Sequence, residues 1–131
     1  MRLTISKHIY AALSGSAEIV KAIGENKIFP IATKNEVEFP FIVYERDSVS
    51  PRYDKSGQSV TESSVNVYVL AESYTESLDI AEMVINALER NEDVIYPDFK
   101  VIGATMQGAS ESYTANTFVQ QLTFNFITKS L

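Results

Sequence analysis

The order of hydropathy patterns along the chain predicts an α+β fold, with a mostly antiparallel sheet of about five strands and two helices packed on one face. Three observations lead there. Strand-like runs outnumber helix-like ones. The longest amphipathic stripe, Tyr74 to Arg90, stands between two groups of strands. The last third of the chain alternates apolar and polar residues. The elements fall in the order α-β-β-β-α-β-β, and the length of 131 residues fits a single domain spanning 1–131.

Each element has its own justification. Ile5, Ile9, Ala12 and Leu13 recur at helical spacing, and Ser14-Gly15-Ser16 interrupts them. Gly15 reads as a helix stop and Ser16 as an N-cap, so a kink and a shorter apolar face through Ala17, Val20 and Ile23 follow, ended by Gly24. Lys27 to Ile31 is a short strand-like run whose Pro30, lacking an amide proton, makes it an edge strand or a very short one. Phe39 to Arg46 is a strand apolar on both faces, Ser48 to Ser59 an exposed loop, and Ser64 to Ala71 a strand with Val65, Val67, Val69 and Ala71 on one side. Sequential strands usually neighbour one another, which makes the last two a long-looped hairpin in a meander.

The main helix begins at a capping box, Ser73 with Glu76, and carries Tyr74, Leu78, Ala81, Val84, Ile85 and Leu88 as its apolar stripe. Residues 91–99, with Pro97, connect it to a strand from Lys100 to Ser112 in which Gly103 and Gly108 mark bulges or close approaches. A turn at Tyr113 to Thr117 leads to the final strand. There Phe118, Leu122, Phe124 and Phe126 share one face and Gln121, Thr123 and Asn125 the other, with Gln120 breaking the apolar row.

Composition narrows function. The net charge of −6 and the dispersed Lys and Arg residues argue against sequence-specific nucleic-acid binding. With no cysteine, disulfides, thiolate metal sites and cysteine nucleophiles are excluded. The N-terminal stretch MRLTISKHIY lacks the apolar core of a signal peptide, and no run is long enough to span a membrane.

The search for catalytic, cofactor-binding or metal-binding residues predicts none. His8, the one histidine, has Ala11 and Ala12 three and four positions on, so it reads as a helix-surface imidazole. Ser14-Gly15-Ser16 is not a nucleophile elbow, and Gly103 to Gly108 lacks the Lys-Ser/Thr and helix of a phosphate loop. Glu76, Asp79 and Glu82 read as cap, dipole complement and solvated face. One patch stands out as a candidate protein interface: Arg46, Asp47, Arg52, Tyr53, Asp54 and Lys55, where arginines and a tyrosine cluster around the loop. A second reading from another class is a small-molecule-binding or hydrolytic domain, with a helix–sheet pocket whose polar groups are Tyr44, Tyr68 and a carboxylate.

Four stretches taken in order carry a family resemblance: AEIVKAIGENKIFP at Ala17–Pro30, FPFIVY at Phe39–Tyr44, VNVYVLAESYTESLDIAEMVINA at Val65–Ala87, and the closing Tyr113 with the Phe118–Phe126 strand. Together they resemble the small tail-completion proteins of long-tailed bacteriophages and prophages, which share a structural circle with the tail terminators. The resemblance implies a structural virion assembly protein without cofactor or catalysis. It implies a homo-oligomer, often a hexameric ring, at the head-proximal end of the tail tube, with tail-tube and neck proteins as partners. It also implies a place in the virion tail or neck after synthesis in the bacterial cytoplasm.

Overall fold

A computed structural model describes residues 3–33, 36–53, 59–89 and 93–131. The elements run α1 (Ile5–Ser14), α2 (Ala17–Ile23), β1 (Ile28–Pro30), β2 (Phe41–Tyr53), β3 (Ser59–Ala71), α3 (Tyr74–Leu88), β4 (Val94–Ile95), β5 (Phe99–Thr114) and β6 (Thr117–Ser130). The six strands form one sheet in the order β1-β2-β3-β6-β5-β4, mixed rather than antiparallel and curled into a half-barrel.

This corrects the expected α+β layout of about five antiparallel strands and two helices. Ser16 accepts a hydrogen bond from the Ile19 amide at 3.4 Å and caps α2 as a helix of its own, which gives three helices among the described residues. Gly24 ends α2 at φ 93, a conformation that only glycine adopts without strain. β4 has two residues, too few to leave a periodic signal. β1 pairs parallel to β2, with Ile28 opposite Ile42 and Pro30 opposite Tyr44, so there is no meander. Ile31 turns the chain out at φ 66, and the connection returns it to the same end of the sheet.

The expected loop Ser48–Ser59 is also corrected. β2 continues to Tyr53 and β3 begins at Ser59, with Pro51 opposite Thr61 and Tyr53 opposite Ser59. A polar run of this kind lacks apolar alternation, yet backbone pairing with a neighbour holds it extended. Asp47 is the extra residue between Arg46 (opposite Val65) and Ser48 (opposite Ser64), a β-bulge. Two further bulges fall at Ile102 and Gln107 in β5, each immediately before the glycine that marked it. Neither glycine is a close approach: a Cβ on Gly103 would meet Ile127 at an ordinary 3.8 Å and one on Gly108 would meet nothing. The β5–β6 turn is tight, with Ala115 and Asn116 at φ 51 and 62.

One face of the sheet is covered by helices. α3 lies on β3 and β6, α1 lies on β1 and β2, and α2 packs against both of these helices. Val65, Val67, Val69 and Ala71 from β3 meet Leu122, Phe124 and Phe126 from β6 in this core, all essentially inaccessible. Under α3 the buried row is Ser77, Ile80, Ala81, Val84 and Leu88. The expected stripe is therefore rotated: Tyr74 and Leu78 are exposed, and Ile80 takes their place. α1 buries Ile5, His8, Ile9 and Leu13, so the expected surface histidine is in fact inside.

Candidate functional site

The described residues contain no cluster of three or more His, Asp or Glu able to hold a metal ion. His8, only 1 % exposed, places Nδ1 2.8 Å from the Tyr96 hydroxyl, and its ring meets Tyr96 and Phe126 edge-on. Its Nε2 is buried without a hydrogen-bond partner. Burial disfavours the imidazolium and lowers the pKa to about 4, so the ring is neutral at pH 7.

The pocket reading required Tyr44 and Tyr68 to converge. Tyr44 stands opposite Val67 on the helix-covered face, whereas Tyr68 stands opposite Val43 on the other. The sheet separates the two hydroxyls. On the helix-free face Tyr68 donates to Glu45 at 2.6 Å, which pushes its pKa up to about 12. Asn66 donates to the same carboxylate at 3.5 Å and accepts from Thr123 at 2.8 Å. These groups satisfy one another and make this part of the face a fixed polar surface of hydroxyls and amides. A cleft of about 650 Å³ lies beside β1, lined in part by Asn26, Lys27, Phe29 and Pro30, and includes neither tyrosine.

Of the expected interface residues, Arg46 and Asp47 lie in β2 at its bulge, and Arg46 donates to the Leu3 carbonyl at 3.1 Å. Arg52 and Tyr53 occupy the last two positions of β2, opposite Val60 and Ser59. Asp54 and Lys55 lie outside the described residues. The structure thus sets Arg46, Asp47, Arg52 and Tyr53 along one strand, rather than around a loop.

Sequence reasoning missed a second group. At the far end of the sheet Tyr74, Tyr113 and Phe118 pack together, with Phe118 4.6 Å from Tyr113 and 5.7 Å from Tyr74 between ring centroids. The Glu111 carboxylate accepts from the Tyr74 hydroxyl at 2.9 Å and from Gln120 at 3.1 Å, and Gln120 also donates to Ser77 at 3.2 Å. This explains the polar break in the β6 row: Gln120 ties α3 to the sheet. Only the polar Ser77 and Gln120 on otherwise buried rows announced the network.

The described residues form a half-barrel sheet with helices on one face and tyrosine–carboxylate networks on both of its faces. The chain belongs to the tail completion protein gp17 family, whose model matches residues 7–129. It is accordingly a structural tail-completion protein of the virion. Among solved structures, a chain in the "Virion of native gene transfer agent (GTA) particle" has a similar fold at TM-score 0.79 and 14 % identity, over 92 % of this chain and 91 % of that one. No curated protein sequence matches.

Proposed function

We propose that this chain is a ring-forming subunit, a hexamer in the simplest arrangement, that closes the head-proximal end of a long tail tube and presents a docking face to the neck. Membership of the tail-completion family over residues 7–129 is the observation that carries this reading. The occurrence of the same fold in a gene transfer agent virion supports assembly with other tail and neck proteins. The role calls for one folded domain and for no cofactor or catalysis. A net charge of −6 suits a passage through which DNA slides without adhering.

In this reading the contact surface comprises Arg46 and Asp47 at the β2 bulge, Arg52 and Tyr53 at the end of β2, and Asp54 and Lys55, which follow them in the sequence. Arginine and tyrosine supply much of the binding energy at protein interfaces. The test combines the purified chain with tail-tube protein and measures mass by light scattering and tube ends by electron microscopy. Capped tubes with a ring at one end are expected, and open tubes with monomeric protein would refute the proposal. A variant carrying Arg52→Glu and Tyr53→Ala should leave the core intact and block capping. Normal capping by that variant would remove the hairpin end from the contact surface.

A further inference from the structure

The sheet has two free edges, and they match each other. β1 covers β2 only at Ile42–Tyr44, the last bond being the Ile31 amide to the Tyr44 carbonyl. From Glu45 to Tyr53 no strand among the described residues pairs with the outer edge of β2. On the other side, β4 covers β5 only at Lys100 and Val101, so the outer edge from Ile102 to Thr114 is likewise free among the described residues. Both free stretches are long, and unpaired edge amides and carbonyls favour pairing with another chain.

The two covers lie at opposite ends. Through β3, β1 is level with Gln120 to Leu122 of β6, whereas β4 is level with Thr128 and Lys129. The free part of one edge is therefore offset from the free part of the other, so a stagger between copies brings them together. Direction agrees as well. β2, β3, β6 and β5 alternate, so β2 and β5 are antiparallel. Rotation about an axis to which the strands are tilted, as in a barrel, absorbs the stagger and closes the ring while preserving direction, so the β2 of one copy meets the β5 of the next in antiparallel sense.

We propose that successive copies of this chain join edge to edge, β2 residues Glu45–Tyr53 of one pairing with β5 residues Met106–Thr114 of the next, to make one continuous sheet around the ring. This rests on the ring reading and specifies its contact. The neighbour's Thr114 must clear β1, which sets Glu45 opposite Thr114 and, past the bulge at Asp47, Val49 opposite Glu111. Val49 and Glu111 both belong to the helix-covered face, since they pair with Ser63 and Gln120. Met106 and Tyr113 are 36 % and 58 % exposed in the isolated chain, apolar surface that the neighbour would cover. Arg46 comes within about two residues of the neighbour's Glu111 on the same face, a diagonal distance long side chains bridge. The bulges at Asp47, Ile102 and Gln107, and Pro51 on β2, keep either edge from accepting an arbitrary strand.

The cysteine-free sequence makes the test direct. Full-length chain carrying Val49→Cys and Glu111→Cys is assembled on tail-tube protein, oxidised, and run on a non-reducing gel. The expected result is a ladder of cross-linked copies from the double variant and dimers from a mixture of the two single variants, with neither single variant cross-linking alone. Dimers from Glu111→Cys alone or Val49→Cys alone would mean twofold pairing of like edges and overturn the proposal. A second pair on the opposite face, Ser50→Cys with Ser110→Cys, covers the case in which the first disturbs folding, checked by thermal melting. Rings seen by microscopy without cross-links from either pair overturn the edge contact and leave the ring standing. Absence of any ring overturns both.

Discussion

His8 offers a quantitative prediction, because it is the one histidine and every other feature of its site is apolar or phenolic. Its pKa falls from 6.5 in the unfolded chain to about 4 in the fold, the imidazolium being disfavoured by burial. A depressed pKa means that the unfolded state binds the proton first. The resulting stability is fully present above pH 6.5 and is lost as pH falls towards 4. At pH 5 the unfolded histidine is almost fully protonated and the folded one about one-tenth protonated, so the linkage costs about 2 kcal/mol relative to pH 7. His8→Phe keeps an aromatic ring against Tyr96 and Phe126 and removes the titration. Urea unfolding of both proteins at pH 7, 6 and 5 should show the native protein losing about 2 kcal/mol more than the variant across that range. The single histidine signal in a proton NMR titration should stay that of neutral imidazole down to pH 5. A difference between the two proteins that does not change with pH, or a native histidine that titrates near 6.5, would refute the buried-neutral assignment.

Three further predictions concern the sheet. Phe124→Ala should cost about 3–5 kcal/mol by denaturant unfolding, because Phe124 lies wholly inside the helix-covered core. Phe41→Ala should cost less, since Phe41 packs on Phe29 and Phe39 in a satellite cluster on the other face. Ala115→Gly should raise stability by about 0.5–1 kcal/mol, seen as a higher melting temperature, because Ala115 holds φ 51 in the β5–β6 turn.

Where apolar residues meet a regular period, the chain announces its structure. Val65 to Ala71, the alternation of β6, the Ser73 cap and the glycines after the β5 bulges all fall as their residues predict. The polar half of β2 was illegible for the opposite reason: Ser48 to Tyr53 is held by backbone pairing with β3, which leaves no hydropathy signal. Parallel pairing of β1 depends on the path of a connection, a property no local pattern encodes. His8 was legible in principle, since Ile5, His8 and Ile9 share one helical face, but a titratable ring on that face reads as surface until its tyrosine partner from residue 96 is known. Of the candidate interface residues, Arg46 precedes and Asp47 forms the bulge in β2, which no pattern of charge announces, because a bulge is a property of strand pairing.

The placement of β6 has a consequence for biosynthesis. β6 follows every other strand of this sheet in the sequence, yet it stands between β3 and β5 and is paired along nearly its whole length on both sides. Until it leaves the ribosome, the β1–β2–β3 group and the β4–β5 pair have no strand to join them, and α3 has only half its bed. The sheet is therefore completed after translation of its central strand, and a nascent chain does not possess both edges in their final relation. A chain of this topology acquires its two outer edges in their final relation only once β6 is in place.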